Sequence, residues 1–242
     1  MASLYLNPEL EPADAEIGSR VSVGGDEARH AVSVARVRIG ERIAIGDGSG
    51  FVVRGAVIEA SAAVLAIEVD EVRHDPEPEP PLWLAQALAK GDRDELAIEM
   101  LTEAGIDEVV PWQASRSIAR WSADRVERGL GRWRSSVREA AKQSRRLRIP
   151  EVAAPVSTQT LAGRVASADL ALILHEEATE PIGALRVPAA GNVLIVVGPE
   201  GGISPDELEV LTSAGGRLVS LGDTVLRTST AGVVAFAALR LR

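Results

Sequence analysis

The stretch Val193–Ala231 reads VLIVVGPEGG, then ISPDELEVLTSAGG, then RLVSLGDTVLRTSTA. Val193–Val197 is a run of β-branched and aliphatic residues without polar alternation, the pattern of a strand covered on both faces in a parallel sheet. Gly198-Pro199-Glu200-Gly201-Gly202 ends that strand and lets backbone approach a ligand closely. Ser204 reads as an N-cap, with Pro205 at the first helical position and Glu207 completing a capping box. Gly215 and Gly216 stop the helix, and Arg217–Leu221 reads as a second buried strand ending at Gly222. Ligands of open α/β sheets lie beyond the carboxyl ends of the strands. Two consecutive glycine-ended strands therefore predict one small-molecule site lined by both loops.

The chemistry of that site is narrowed by what is missing. The chain has neither GxGxxG nor GxxxxGK[ST], so the usual dinucleotide and phosphate-loop readings lose their support. Alone, GPEGG serves equally well as a tight strand-to-helix turn. The following polar loop, Leu221–Ala231, adds a single arginine, Arg227, among hydroxyls and ahead of the apolar helix Gly232–Leu239. Such a group before a helix N-terminus holds an anion or a carboxylate.

GPEGG, followed about twenty residues later by LGDTVLRTSTA, resembles the signature of the SPOUT methyltransferases. It is most similar to that of the RsmE family, which methylates N3 of a uridine in 16S ribosomal RNA of the small subunit. The resemblance implies an α/β fold with a C-terminal SPOUT-type trefoil-knotted domain that binds S-adenosylmethionine. It also implies a small N-terminal PUA-like β-barrel domain, a homodimer and a cytoplasmic location. It assigns cofactor binding to Leu174, His175, Gly198, Pro199, Glu200, Gly201, Gly202, Leu221, Gly222, Leu226, Ser229 and Ala231. The catalytic pair would be Arg227, holding the uracil carbonyl or a phosphate, and Glu200, orienting the site. Many members carry Glu in an LR-x-E-T-A segment, where this chain has Ser229. A role for that Glu does not transfer, and Ser229 stands as a hydrogen-bonding substitute.

Upstream, Asp169–Leu174 is an apolar strand ending at His175-Glu176-Glu177, a third strand end directed at the site. Imidazole is the usual proton acceptor near neutral pH, but the resemblance implies that the loop carrying His175 lines the cofactor pocket. Pro181–Pro188 reads as a short helix or turn. Leu82–Ala89, Asp94–Ala104 and Val109–Trp112 give strand, helix, strand, with Leu96, Ile98, Met100 and Leu101 available to the core. Lys90 and Arg93 either cap the first strand or, as the resemblance implies, contact RNA phosphates.

The chain carries a formal charge of −9, which argues against nucleic acid until its distribution is read. Between Arg116 and Arg148 stand eleven Arg/Lys and three acids, a net of +8, whereas the remainder nets −17. Local field governs phosphate binding, although a solvated arginine-rich helix has the same composition. Ser115-Arg116-Ser117 is a polar loop. Arg125–Lys142 reads as a helix with Trp133, Val137, Ala140 and Ala141 on its apolar stripe, despite Gly129 and Gly131. Arg132, Arg138, Lys142 and Arg145 fall towards one side. The segment EAAKQSRRLRIP, Glu139–Pro150, resembles the family's E-A-x-x-Q-S-x-R-x-x-x-P element. It implies that Gln143, Arg145, Arg146 and Arg148 form an edge against RNA backbone.

Residues 1–73 look mostly β, with strands near Arg20–Val23, Gly40–Ile45, Phe51–Glu59 and Val64–Val72 and a short helix His30–Arg36. The segment HAVSVARVRIG resembles the family's His-x-x-x-V-x-R-x-x-x-G, which implies RNA contacts from Arg36 and Arg38. The proline-rich 74–81 reads as a linker, with 82–242 as the methyltransferase domain.

The absence of cysteine removes disulfides, thiolate metal sites and a Cys nucleophile. Three scattered histidines make no ligand cluster, so no metal is expected. The start, MASLYLNPELEPADAE, reads as no signal peptide, and no apolar stretch is long enough for a membrane span. Rival readings are an inactive RNA-binding homologue, motivated by Ser229, a SPOUT enzyme acting on transfer RNA or ribose 2′-O, and a nucleotide enzyme on an ordinary doubly wound sheet.

Overall fold

The computed structural model describes residues 3–240. It divides into two compact units, Met1–Glu77 with Ala141–Ile149, and Pro78–Ala140 with Pro150–Arg242. Residues 141–149, which lie inside the expected 82–242 span, thus pack with the first unit.

The first unit contains β1 (Leu4–Leu6), β2 (Arg20–Gly24), α1 (Gly25–Ser33), β3 (Arg42–Gly46), β4 (Phe51–Ala60) and β5 (Val64–His74). They form one sheet in the order β1-β3-β4-β5-β2, with β1 parallel to β3 and the other pairs antiparallel. Alternate residues, among them Val21, Ile43, Ile45, Val53, Leu65 and Ile67, meet in one core. At the sheet edges, the Asn7 side-chain amide donates to the Ser22 carbonyl at 3.1 Å. Gly55 stands where β4 shifts register against β5, and a Cβ there would lie 1.8 Å from the Glu68 carbonyl oxygen.

The helix expected over His30–Arg36 starts five residues earlier and ends three earlier. Asp26 and Glu27 in its first turn favour the early start. The end is fixed before Arg36, which takes a left-handed backbone, φ 56°.

Segment 141–149 completes this unit. The Lys142 ammonium pairs with Glu27 at 3.0 Å, both nearly buried. Leu147 covers an apolar patch of Leu4, Ala44 and Val52, and the Ile149 N–H donates to the Gly48 carbonyl at 2.8 Å.

The second unit holds β6 (Leu82–Ala87), α2 (Arg93–Ala104), β7 (Glu108–Trp112), the Val126–Ala140 part of α3 (Val126–Ser144), β8 (Glu151–Val152), α4 (Thr158–Ser167), β9 (Leu170–Leu174), β10 (Val193–Val197), α5 (Pro205–Ser213), β11 (Arg217–Val219) and α6 (Thr228–Arg240). All strands are parallel, in the order β11-β9-β10-β6-β7-β8. The chain runs outward from β6 to β8, then crosses to β9 and inserts β10 between β9 and β6. Every residue of β10 is buried, as its unbroken apolar run requires. Each such side chain contributes about 1.5–3 kcal/mol.

Helix α6 packs against α2, β6 and β10. It begins at Thr228, four residues before the expected Gly232, so the hydroxyl cluster is its first turn and not a loop. Leu96 of α2 is exposed, contrary to expectation; the core face is Ala97, Ile98, Leu101 and Thr102. Pro181–Pro188 contains a single 3-10 turn, Ile182–Ala184. In α3, Gly129 has a steric reason, since a Cβ there would lie 2.4 Å from the Trp121 ring. Trp121 in turn meets Trp133 edge-on, ring centroids 5.5 Å apart.

Candidate active site

Three strand ends meet at one cleft of about 880 Å³ in the second unit, within the usual size of small-molecule sites. The loop after β9 supplies Leu174, His175, Glu176 and Glu177, and the loop after β10 supplies Gly198, Pro199, Glu200, Gly201 and Gly202. Leu221, Gly222, Thr224, Val225, Leu226 and Arg227 come from the segment after β11, and Thr228 and Ala231 from the first turn of α6. This is the topological position where parallel sheets bind ligands.

The glycines are matched to their neighbours. Gly202 and Gly222 have left-handed backbones, φ 72° and 120°. A Cβ on Gly198 would lie 2.7 Å from the Ile203 side chain. Pro199, Gly202 and Ser204 then form one turn: the Gly202 N–H donates to the Pro199 carbonyl at 2.9 Å, and the Ser204 hydroxyl caps α5 in the expected box with Glu207.

Glu207 does more than cap. Its carboxylate also accepts the Ser115 N–H at 2.8 Å, the Ser115 hydroxyl at 2.6 Å and the Thr158 hydroxyl at 2.8 Å. Burial pushes its pKa up, but the bonds from Ser115, Thr158 and the Ser204 N–H outweigh burial and hold it at about 2. One carboxylate thereby joins the loop after β7, the start of α4 and the start of α5.

Glu200 is an exposed residue whose side chain, 22% exposed, is held in place. It accepts the Lys90 N–H at 3.2 Å and the Arg93 guanidinium at 3.1 Å. Arg93 itself lines the cleft, whereas Lys90 meets Glu200 through its backbone. Arg227 is exposed on the cleft wall, and among the described residues its side chain makes no hydrogen bond or ion pair. Ser229 is buried in α6 and is not among the residues lining the cleft. His175 Nδ1 accepts the Glu177 N–H at 3.2 Å, a local turn contact.

Sequence alone does not single out Arg116. It lines the cleft and donates to the Gly201 carbonyl at 3.2 Å. The available signal is its place in the polar loop just beyond the carboxyl end of β7, a strand adjacent to β6. Thr228 likewise stands out in the sequence only as part of a hydroxyl cluster.

The expected RNA-contact residues fall in several places. Arg36 and Arg38 are exposed in the first unit beside the exposed Val34 and Ile39. Gln143 and Arg145 line a second cavity, about 520 Å³, with Arg42, Arg54 and Leu147. Arg146 is partly buried. Arg148 serves the fold of the first unit. Its guanidinium donates to the Asp75 and Pro76 carbonyls at 2.6 and 3.2 Å and lies over Gly50. Much of the basic run is used in the same way. Arg120 donates to the Ser115 carbonyl, Arg132 pairs with Glu95 and Lys142 with Glu27. Among the described residues no cluster suits a metal ion, and no helix is long and apolar enough to cross a membrane.

Comparison with known proteins agrees with this arrangement. The RNA methyltransferase domain family matches residues 76–240, and the RNA methyltransferase PUA domain family matches residues 23–67. The ribosomal RNA small subunit methyltransferase E of Mycobacterium tuberculosis is 49% identical, the match covering 93% of this chain and 87% of the relative. That of Bacillus subtilis is 31% identical over 96% of this chain and 93% of its own length. The crystal structure of the Neisseria gonorrhoeae ribosomal RNA small subunit methyltransferase E, bound to S-adenosyl methionine, superposes with a TM-score of 0.87 at 26% identity, covering 98% of this chain and 96% of that one. The chain belongs to the RsmE family of small-subunit ribosomal RNA methyltransferases, within the SPOUT superfamily.

Proposed function

We propose that the protein transfers a methyl group from S-adenosylmethionine to N3 of a uridine in 16S ribosomal RNA. The observation that carries this reading is the convergence of three strand-end loops, two glycine-bearing, with Arg227, whose side chain has no partner among the described residues, on one cleft. The residues present suit the cofactor. Leu174, Val197, Leu221, Leu226 and Ala231 offer apolar walls for an adenine ring, and the close-packed glycine loop offers backbone groups for its polar edge. The cofactor supplies an electrophilic methyl group when bound. N3 of neutral uracil carries a proton, which must leave before or during attack, so negative charge develops on the imide. Arg227 faces that charge, and Glu200, anchored by Lys90 and Arg93, orients the surrounding loop. The base must be unpaired or drawn from its stack to expose N3.

The reading extends to a PUA-like domain over 1–73, with which residues 141–149 are grouped, a linker at 74–81, a trefoil-knotted methyltransferase domain over the rest of 82–242, a homodimer and a cytoplasmic location. RNA contacts are assigned to Arg36, Arg38, Lys90, Arg93, Gln143, Arg145 and Arg146. Replacing Gln143 and Arg145 by alanine is expected to weaken RNA binding at low salt and to shallow its salt dependence by about one phosphate contact, with cofactor affinity unchanged. Binding of RNA by filter retention across a salt series checks this; an unaltered slope removes the pair from the interface. Arg148 is left out of that variant because its loss would loosen the first unit.

The function is tested by incubating the protein with labelled S-adenosylmethionine and unmodified small subunits, then mapping the product nucleoside. Label in 3-methyluridine is expected. Label in another nucleoside, or none with cofactor binding intact, overturns the N3 assignment.

A further inference from the structure

We propose that Thr228, directed by Gln86, is a positioning residue whose hydroxyl locks the loop after β10 to the first turn of α6. The proposal rests on reading the cleft as the cofactor site. The Thr228 hydroxyl donates to the Gly198 carbonyl at 2.9 Å and accepts from the Gln86 side-chain amide at 2.8 Å. Both side chains are out of solvent, Thr228 being 6% exposed and Gln86 fully buried, while Gly198 is partly exposed.

The polarity of the chain is forced. A carbonyl can only accept, so the single hydroxyl proton of Thr228 goes to Gly198. Gln86 must then present its NH₂ group, which also donates to the Ala87 carbonyl at 3.2 Å. The amide oxygen of Gln86 is left without a partner among the described residues. An unpaired buried acceptor is destabilising, and an apolar side chain would fill this place in β6 without that cost. What the amide adds, besides its bond to Ala87, is a donor to the Thr228 oxygen, which keeps the hydroxyl proton on the Gly198 carbonyl.

That direction matters at two places in the cleft. Gly198 is the first residue of the glycine loop and follows Val197, which lies in register beside Gln86. Thr228 directly follows Arg227 in the chain. One hydroxyl therefore fixes both the carbonyl at the root of the glycine loop and the backbone that carries Arg227. Binding draws on both loops, so a loosened lock raises the cost of ordering them around the ligand.

The test compares Thr228→Val, which keeps the shape and removes the hydroxyl, with Thr228→Ser, which keeps the hydroxyl. S-adenosylhomocysteine and S-adenosylmethionine binding is measured by calorimetry well below the melting temperature, alongside kcat and KM. Thr228→Val is expected to weaken both ligands about tenfold, to raise KM for the cofactor and to lower kcat. Thr228→Ser is expected to stay within about threefold of the parent. Should Thr228→Val not fold, Gln86→Leu carries the same comparison, with the hydroxyl present but undirected. A lowered melting temperature with ligand affinities and KM unchanged would overturn the proposal and leave Thr228 a stabilising residue only. Failure of the unaltered protein to bind either ligand would instead overturn the cofactor reading, and the lock with it.

Discussion

Arg227→Ala is expected to lower kcat by about 100- to 1,000-fold, the range seen when one donor facing developing negative charge is removed. Cofactor affinity should move by less than about threefold. The contrast follows from placement. Arg227 lines the cleft with no described side-chain partner, so its loss leaves no buried group unpaired and should not disturb the loops. Glu200 differs, because it is tied to Lys90 and Arg93 across more than a hundred residues of sequence. Arg227→Lys should recover only part of the rate, since a single ammonium lacks the planar fork of guanidinium. Single-turnover methylation with saturating cofactor, together with calorimetric affinities, separates the two effects. Near-normal turnover in the alanine variant would remove Arg227 from the reaction.

The second large effect concerns stability. Glu207→Gln should destabilise the second unit by about 3 kcal/mol, because charge-assisted bonds are lost and an amide NH₂ is turned towards hydroxyl and N–H donors. For a chain of this size that corresponds to roughly 6–12 °C in melting temperature. The pH dependence has a definite sign. The folded carboxyl titrates at about 2, below its ordinary value of 4.5. Its contribution is complete above about pH 4.5 and is lost as pH falls towards 2. The glutamine variant should therefore show a flatter fall in stability across that window. Denaturant titrations at several acid pH values measure it; parallel curves for the two proteins would refute the assignment.

Glu207 also shows how far the sequence could be read. Ser204, Pro205 and Glu207 spell a capping box within four residues, and the box is present. The other donors to the same carboxylate come from Ser115 and Thr158, 92 and 49 residues away, and no local pattern announces them. The strands β9 and β10 are legible because unbroken apolar runs have few alternatives, and β6 and β7 because a single polar residue, Gln86 or Glu108, falls in each. The sequence places the start of α6 too late because Thr228, Ser229 and Thr230 look like loop. Two of these three hydroxyl residues are in fact buried in its first turn. Arg148 sits in a run of arginines, where composition suggests phosphate, yet its guanidinium is bound to Asp75 and Pro76 carbonyls. Local composition cannot report such a partner, since it lies 72 and 73 residues upstream.

The same segment has a consequence for biosynthesis. The first unit is made of residues 1–77 and 141–149, so its last piece emerges from the ribosome only after most of α3. At roughly 5–20 residues per second, the interval lasts several seconds. Through it, Leu4, Ala44 and Val52 wait for Leu147, and Glu27 waits for Lys142. An N-terminal fragment cut at the proline-rich stretch would hold that unfinished state permanently. Folding of the nascent chain is thus tied to translation past Ile149, and a pause before that codon would prolong the exposure of an apolar, acid-bearing face.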